Sequence, residues 1–341
     1  MTYGTTTFIE NHIDLFCCPY CNGDLVFSNE GLNCRECQKA FPDNQGIPCL
    51  FCPNEWEAAK EDITDTMQSF YEETPFPDYD DFDNTGSLIE KARKSLFAKL
   101  LDDQIPTGTR ILECGCGTGQ LTNYLSIAYR TVVGTDMCLN SLKLANDFKQ
   151  KNKLDRAHFF QMNLFRPFFK PESFDLVISN GVLHHTSDPR LAFQSISRLV
   201  KPGGYIMIGL YHKYGRLFTD LRRIIFNVTR KRYHFLDARI KNSRNGNAKS
   251  LSWFMDQYKN PHESKHTAGE VLPWLDDNNF TFIHSVPKTT PFSRISNSEK
   301  LFMKDRIGNR FERFISDIGC ILDGHNEGGF FTVIARKNKA S

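Results

Sequence analysis

The residues best suited to chemistry gather in two places. Cys18, Cys21, Cys34 and Cys37 form two CxxC pairs with twelve residues between them. A CxxC turns a tight knuckle that aims two thiolates at one point, and two knuckles complete the tetrahedral set that Zn2+ prefers. The text around them, CPYCNGDLVFSNEGLNCRECQKAF, alternates apolar residues with turn formers such as Asn22, Gly23 and Gly31, as short hairpins do. So small a unit has little core, so metal binding would supply much of its folding free energy. A redox CxxC expects one motif beside a βαβ unit, not two on hairpins. Cys17, Cys49 and Cys52 are left over. A third CxxC, GIPCLFCP, leaves ligand exchange, a degraded second site or burial as small hydrophobes open.

The second place is ILECGCGTGQ at 111–120, where Cys114 and Cys116 alternate with Gly115, Gly117 and Gly119. Two thiols at CxC spacing make a poor tetrahedral site without partners, so the glycines carry the signal. An apolar strand at 110–113 enters the glycine turn, a helical pattern follows at 120–127, and a strand at 131–135 ends on Asp136. That is a βαβ unit. Position 120 is Gln, so the dinucleotide fingerprint GxGxxG is not met.

The elements that must position these residues continue in order. After a third strand at 157–161, residues 174–179 read as a buried parallel strand. Asn180 to His185 then lie at its carboxyl end, where open α/β sheets bind ligands. An amphipathic helix, a KPGG turn at Lys201–Gly204 and a fifth strand to Tyr211 follow, with a late helix and two last strands in 270–287 and 329–336.

The glycine loop, spaced hhExGxGxG with Glu113 at the acidic position, resembles motif I of the class I S-adenosylmethionine (SAM) methyltransferases, type 11/12 or UbiE-like. The resemblance spans about Leu96 to Tyr211. It implies an α/β fold: a seven-stranded Rossmann-like methyltransferase sheet with helices on both faces. It also implies SAM held by Glu113, Gly115, Gly117, Gly119, Asp136, Met137, Asn163, Leu164 and Asn180. Glycines let the backbone approach the cofactor, the next helix turns its N–H groups toward the carboxylate, and Asp136 can accept both ribose hydroxyls. Asn163 stands where the family usually has Asp; its amide oxygen can still meet the adenine amino group, without the charge. The stretch from Cys18 to Leu50 resembles the Trm112-like zinc ribbons that accompany RNA and protein methyltransferases. It implies a small N-terminal β zinc ribbon with structural Zn2+, a docking or substrate-presenting module. The expected division is a zinc ribbon at 1–54, an acidic linker and N-terminal helical lid at 55–95, and a methyltransferase domain at 96–341 with insertions at 213–266 and 288–328.

Methyl transfer from a sulfonium is an in-line displacement, so positioning does most of the work, with a base if the acceptor arrives protonated. His184 and His185 sit beside the expected pocket. Either could be that base, and the alternative is a structural role. Tyr71 is either part of a lid or a packing aromatic. HESKH at 262–266 matches the zinc-protease pattern HExxH. Pro261 before it, and a capping box at Thr267 and Glu270, start the next helix only after His266, so no protease site is expected. Residues 252–267, dense in polar and aromatic groups, are a candidate cap over the acceptor or a packed surface loop.

Composition sets the outer limits. With 341 residues and 40% hydrophobic content the chain can bury a normal core. No run of about 18 apolar residues suggests a membrane span, the N-terminal text lacks a secretory signal, and a cytoplasmic location is expected. Eleven cysteines, an odd number, then read as thiols or metal ligands. Net charge is +2, but twelve acidic residues between Glu55 and Glu90 face only Lys60, and eleven basic residues in 213–249 face only Asp220 and Asp237. The two segments either dock on each other, are solvated faces, or the basic one meets an anionic partner. Residues 217–235 read as basic amphipathic helix that could grip RNA phosphates, an anionic membrane or a negatively charged small substrate. The expected function is SAM-dependent methyl transfer to a small or carrier-linked acceptor. An RNA (rRNA or tRNA) acceptor through 213–249 is the alternative, although SNGV replaces an NPPY-type tetrapeptide at the fourth strand. A non-catalytic SAM-binding scaffold is a third reading.

Overall fold

The structure is a computed structural model that describes residues 3–28, 31–56, 62–77, 84–229, 254–327 and 329–339. Helix α1 (Tyr3–Asn11) leads into a small antiparallel sheet of β1 (Leu25–Ser28), β2 (Gly31–Cys34), β3 (Ala40–Asn44) and β4 (Ile47–Pro48), paired in sequence order. These are the expected hairpins. Helices α2 (Thr64–Glu73), α3 (Thr85–Lys94) and α4 (Leu96–Gln104) follow.

The main sheet then begins. Its parallel part alternates with helices: β5 (Arg110–Cys114), α5 (Gln120–Ser126), β6 (Thr131–Asp136), α6 (Leu139–Asn152), β7 (Ala157–Gln161), β8 (Phe174–Asn180), α7 (Pro189–Ser197) and β9 (Val200–Tyr211). After α8 (Leu217–Val228) come α9 (Ala268–Asp277), β10 (Phe280–Val286), α10 (Arg310–Glu327) and β11 (Phe330–Lys337). Strand order is β10–β11–β9–β8–β5–β6–β7, with β11 antiparallel to both neighbours. The chain proceeds one way from β5 to β7 and the other way from β8 to β9, so the order reverses between β5 and β8. Such a switch point opens a crevice at the carboxyl ends of the strands.

The core follows from strand alternation, since successive side chains point to opposite faces. Ile111, Leu176, Ile178 and Met207 pack under Leu88, Leu101 and Leu125 from α3, α4 and α5. Their neighbours Leu112, Val177, Ile206 and Ile208 pack on the other face with Phe193 of α7 and Trp274 of α9. Helices therefore cover both faces, as expected for this α/β class.

The small sheet shares the second core. Phe16, Phe160, Phe168 and Phe169 are fully buried against one another, Cys17 N–H donates to Phe168 O at 2.7 Å, and Leu50 N–H donates to Gln161 O at 3.1 Å. The change of pattern near residue 54 is thus a boundary in the sequence, while the packing runs across it.

Two local expectations meet different outcomes. The capping box of Thr267 and Glu270 is present and starts α9, which contains Pro273. The KPGG stretch, expected as a turn before the fifth strand, is instead a bulge inside β9. Phe174 pairs with Val200 and Leu176 with Tyr205, so Lys201–Gly204 stand opposite Asp175 alone. Gly203 takes φ +81° there, and Lys201 Nζ reaches Asp175 Oδ1 at 2.7 Å, which pins the bulge.

Candidate active site

A cavity of about 510 Å3 opens at the switch point. Of the expected cofactor residues, Glu113, Gly115, Gly117, Asp136, Met137, Asn163, Leu164 and Asn180 line it. Gly119 does not; it ends the loop at the start of α5. All three loop glycines sit at positive φ, where other residues pay a steric penalty. Space is just as limiting. A Cβ on Gly117 would stand 2.2 Å from Phe76 O, and one on Gly115 2.4 Å from the Val182 side chain. Cys114 and Cys116 are buried, and burial raises the Cys114 thiol to about 12. Cys114 packs in the core and Cys116 also lines the cavity; among the described residues neither belongs to a metal-ligand cluster.

Asp136 ends β6 with its carboxylate on the cavity wall. Oδ2 accepts Gly117 N–H at 2.8 Å and Oδ1 accepts Cys138 N–H at 2.9 Å, which leaves lone pairs on both oxygens. Burial pushes its pKa up, and those two N–H groups oppose the shift. Glu113 is deeper; burial raises it to about 8 although Thr122 Oγ1 donates to it.

Asn163 does something sequence reasoning missed. Its Nδ2 donates to Cys52 O and to Asn54 Oδ1, both at 2.8 Å, while its Oδ1 accepts Phe165 N–H at 3.0 Å. The amide ties the segment that leaves the small sheet to the cavity rim. A carboxylate could not donate those bonds, which accounts for Asn at this place.

The segment expected as a lid reaches the cavity wall. Ile63, Met67, Tyr71, Phe76 and Pro77 line the cavity. Glu72 holds α2 in place by accepting Leu139 N–H at 2.6 Å and Asn140 N–H at 3.0 Å at the start of α6, a favoured position for a carboxylate. Much of the rest of the acidic segment, 57–61 and 78–83, lies outside the described residues.

The two histidines separate. His185 lines the cavity and donates Nδ1–H to His262 O at 2.8 Å, so Nε2 is left as the basic nitrogen. His184 is fully buried, lies tilted against Tyr211 with centroids 3.9 Å apart, and among the described residues finds no hydrogen-bond partner for either ring nitrogen. Burial lowers the pKa of both. The HESKH stretch explains this arrangement. It is extended, its Ser264 N–H donates to His184 O at 2.7 Å, and its His262 carbonyl fixes the His185 ring.

Facing His185 is a polar cluster from three distant segments. Tyr71 Oη donates to Asp256 Oδ1 at 2.9 Å, Asn260 Nδ2 donates to Tyr71 Oη at 2.8 Å, and Gln257 Nε2 donates to Tyr211 Oη at 2.8 Å. Asp256 and Gln257 belong to a π-helical turn at Met255–Lys259 and line the cavity with Tyr211. Of the candidate cap at 252–267, Asp256 and Gln257 thus reach the cavity, whereas 252–253 lie outside the described residues. Arg216, fully buried, bonds Gln257 and Glu263 and lies 3.8 Å over the Tyr211 ring. Arg223 also reaches Glu263, at 2.7 Å. Two members of the basic run thus face inward, and residues 230–250 lie outside the described residues.

The four ribbon cysteines converge. Cys18 Sγ and Cys37 Sγ lie 3.6 Å apart, Cys21 Sγ and Cys34 Sγ 3.4 Å, and all four sulfurs fit within 4.8 Å. A tetrahedral Zn–S distance of about 2.3 Å implies S···S of roughly 3.8 Å, so the spacing suits that ion. Cys17 and Cys52 are buried free thiols, and Cys49 bonds the Ile47 carbonyl.

Residues 112–208 match the sequence profile described as a methyltransferase domain. Together with the sheet order and the glycine loop at its switch point, this makes the region a class I, Rossmann-like methyltransferase domain. Among relatives, an uncharacterized protein of Synechococcus sp. is 27% identical over 201 residues, covering 51% of this chain and 48% of its own length. The ubiquinone biosynthesis O-methyltransferase of Paracidovorax citrulli is 30% identical over 112 residues, covering 33% and 47%. The chain spans about half the length of these curated relatives. A SAM-dependent methyltransferase of Methanosarcina mazei has a similar structure at TM-score 0.44 and 18% identity, with 71% of this chain and 98% of that one covered. The Haloferax volcanii complex of the Trm112 methyltransferase activator with a methyltransferase assigned by inference aligns at TM-score 0.46 and 13% identity, covering 74% and 94%.

Proposed function

We propose that this chain transfers a methyl group from SAM to a small or carrier-linked acceptor. The observation that carries the reading is a cavity with two chemically distinct ends. One end holds the tight glycine loop and Asp136; the other holds His185 with a fixed tautomer beside Tyr71, Tyr211, Asp256 and Gln257. SAM, when bound, supplies an electrophilic methyl group on a sulfonium.

The chain's residues divide the remaining work. Asp136 accepts the ribose hydroxyls, and Gly115 and Gly117 allow the backbone to close on the cofactor. Met137, Leu164, Asn163 and Asn180 line the rest of that end, with Gly119 and Glu113 shaping the loop from behind. His185 Nε2 takes the acceptor's proton, and the imidazolium formed is favoured by the Asp256 and Glu263 charges. His184 is assigned to packing, since its ring lies behind Tyr211. Lid residues 62–77 and cap residues 254–260 exclude water. Cys18, Cys21, Cys34 and Cys37 hold structural Zn2+. We retain the ribbon, lid and methyltransferase divisions at 1–54, 55–95 and 96–341 as functional units. Eleven cysteines with no disulfide among the described residues suit a reducing compartment such as the cytoplasm.

The test is a crystal structure with S-adenosylhomocysteine. Its sulfur should face His185 and Asp256; a sulfur turned away from them toward the ribbon would overturn the assignment of the acceptor end.

A further inference from the structure

Two buried acids of one short segment have unlike surroundings. Glu263 meets two guanidinium groups, Arg216 at 2.9 Å and Arg223 at 2.7 Å. Asp256, 5% exposed and on the cavity wall, meets only neutral donors. Its Oδ1 accepts Tyr71 Oη–H at 2.9 Å, and its Oδ2 accepts Gln257 Nε2–H at 2.7 Å and Tyr211 Oη–H at 3.3 Å. Among the described residues no Lys or Arg pairs with Asp256, and none lines the cavity. A buried carboxylate held by dipoles alone keeps a charge that a structural ion pair would have cancelled.

The walls beside it are aromatic. Tyr211 stands at 89° to His185 and 83° to Phe330, and Tyr71 at 68° to His185, with ring centroids 5.6, 6.2 and 6.1 Å apart. All four rings line the cavity. A carboxylate set among aromatic rings is the chemistry that receives an ammonium group. The other acids of the lining do not share this end: Asp136 belongs to the ribose end, and Glu113, raised to about 8 by burial, keeps its proton at neutral pH. Burial lowers the His185 pKa, so its imidazole is neutral there. Among the described residues, the lining of the acceptor end then has one negative charge and no positive one. A carboxylate or phosphate on the acceptor would set a second anion against Asp256, and a hydroxyl would leave Asp256 uncompensated.

We propose that the acceptor is an amine, bound in its ammonium form by Asp256 between the Tyr71, Tyr211, Phe330 and His185 rings. This rests on the methyl-transfer reading and narrows its acceptor. His185 Nε2 takes one N–H proton. The nitrogen lone pair so released forms the N–C bond as the methyl's C–S bond breaks, and that electron pair stays on sulfur. The product nitrogen is positive again, so Asp256 faces a cation before and after transfer.

The full chain, saturated with S-adenosylhomocysteine, is titrated at neutral pH with propylamine, isobutylamine and benzylamine, each beside the alcohol of the same shape, and ligand-observed NMR reads the affinities. At least one amine should bind about tenfold or more tightly than its alcohol, and Asp256→Asn should abolish that preference. Circular dichroism and S-adenosylhomocysteine affinity of the variant should match the parent, which separates a lost charge from a lost fold. Absence of any amine preference in the parent overturns the proposal without recourse to a variant. A preference that Asp256→Asn retains overturns it as well; if that variant also binds SAM more weakly but S-adenosylhomocysteine equally, the carboxylate serves the sulfonium instead. Failure of the parent to bind S-adenosylhomocysteine is read before any amine is added, and it overturns the methyl-transfer reading itself.

Discussion

Replacing Asn163 with Asp restores the residue usual at this position among the class I methyltransferases, and it should destabilise this protein. Nδ2 of Asn163 donates to Cys52 O and Asn54 Oδ1, and the residue is 3% exposed. A carboxylate donates neither bond. The buried Cys52 carbonyl then loses its partner, at about 1–3 kcal/mol, and a negative oxygen faces two acceptor oxygens at a further cost of roughly 1–2 kcal/mol. The expected loss is about 2–5 kcal/mol, a large share of the roughly 5–15 kcal/mol that stabilises a typical domain. Urea unfolding at pH 8, followed by tryptophan fluorescence, measures it, because Trp56 packs edge-on against Phe165 two residues from the substitution. The sign of the pH dependence is fixed. Burial beside two acceptors raises the new carboxyl's pKa, and the protonated acid can donate to Cys52 O. The deficit should therefore shrink as pH falls and grow as it rises. A variant as stable as the parent at pH 8, or a deficit that grows on acidification, would refute this account of the ribbon's attachment.

Three further outcomes are expected. Glu113 is raised to about 8 by burial, so the folded state keeps a proton that the unfolded chain releases above the usual glutamate range. Stability should therefore fall as pH rises through the window from about 4.5 to 8, with a limiting slope of ~1.4 kcal/mol per pH unit, and Glu113→Gln should flatten that decline in denaturant titrations. Glu263→Gln leaves the buried Arg216 without its carboxylate and should cost about 3–5 kcal/mol in thermal or urea unfolding. Cys18→Ser should remove one Zn2+ per chain by elemental analysis and lower stability by several kcal/mol; because the ribbon shares its core with the main sheet, the loss should appear in the global transition.

The parts of the chain legible in sequence were those governed by local rules. Strands 157–161 and 131–136, the glycine loop and the Thr267–Glu270 box are set by periodicity, turn chemistry and capping, and they occur where those rules place them. The KPGG bulge was not legible, because a glycine pair reads as a turn unless the neighbouring strand is known. His184 and His185 are equivalent in a one-dimensional pattern; only the cavity wall and the His262 carbonyl, both met by His185, distinguish them. The polar end of the cavity joins Tyr71, Tyr211 and Asp256, which no spacing rule links. Charge runs misled most: Arg216 and Arg223 belong to the basic segment, yet one buried carboxylate, Glu263, turns both inward.

The central claim is that the loop and Asp136 hold SAM while His185 serves the acceptor. Isothermal titration of the full chain with SAM tests it most directly. The parent should bind one SAM per chain, Asp136→Ala should weaken binding by roughly 10- to 100-fold through loss of charge-assisted bonds to the ribose, and His185→Gln should bind as the parent does. No binding by the parent, or equal binding by Asp136→Ala, would contradict the account.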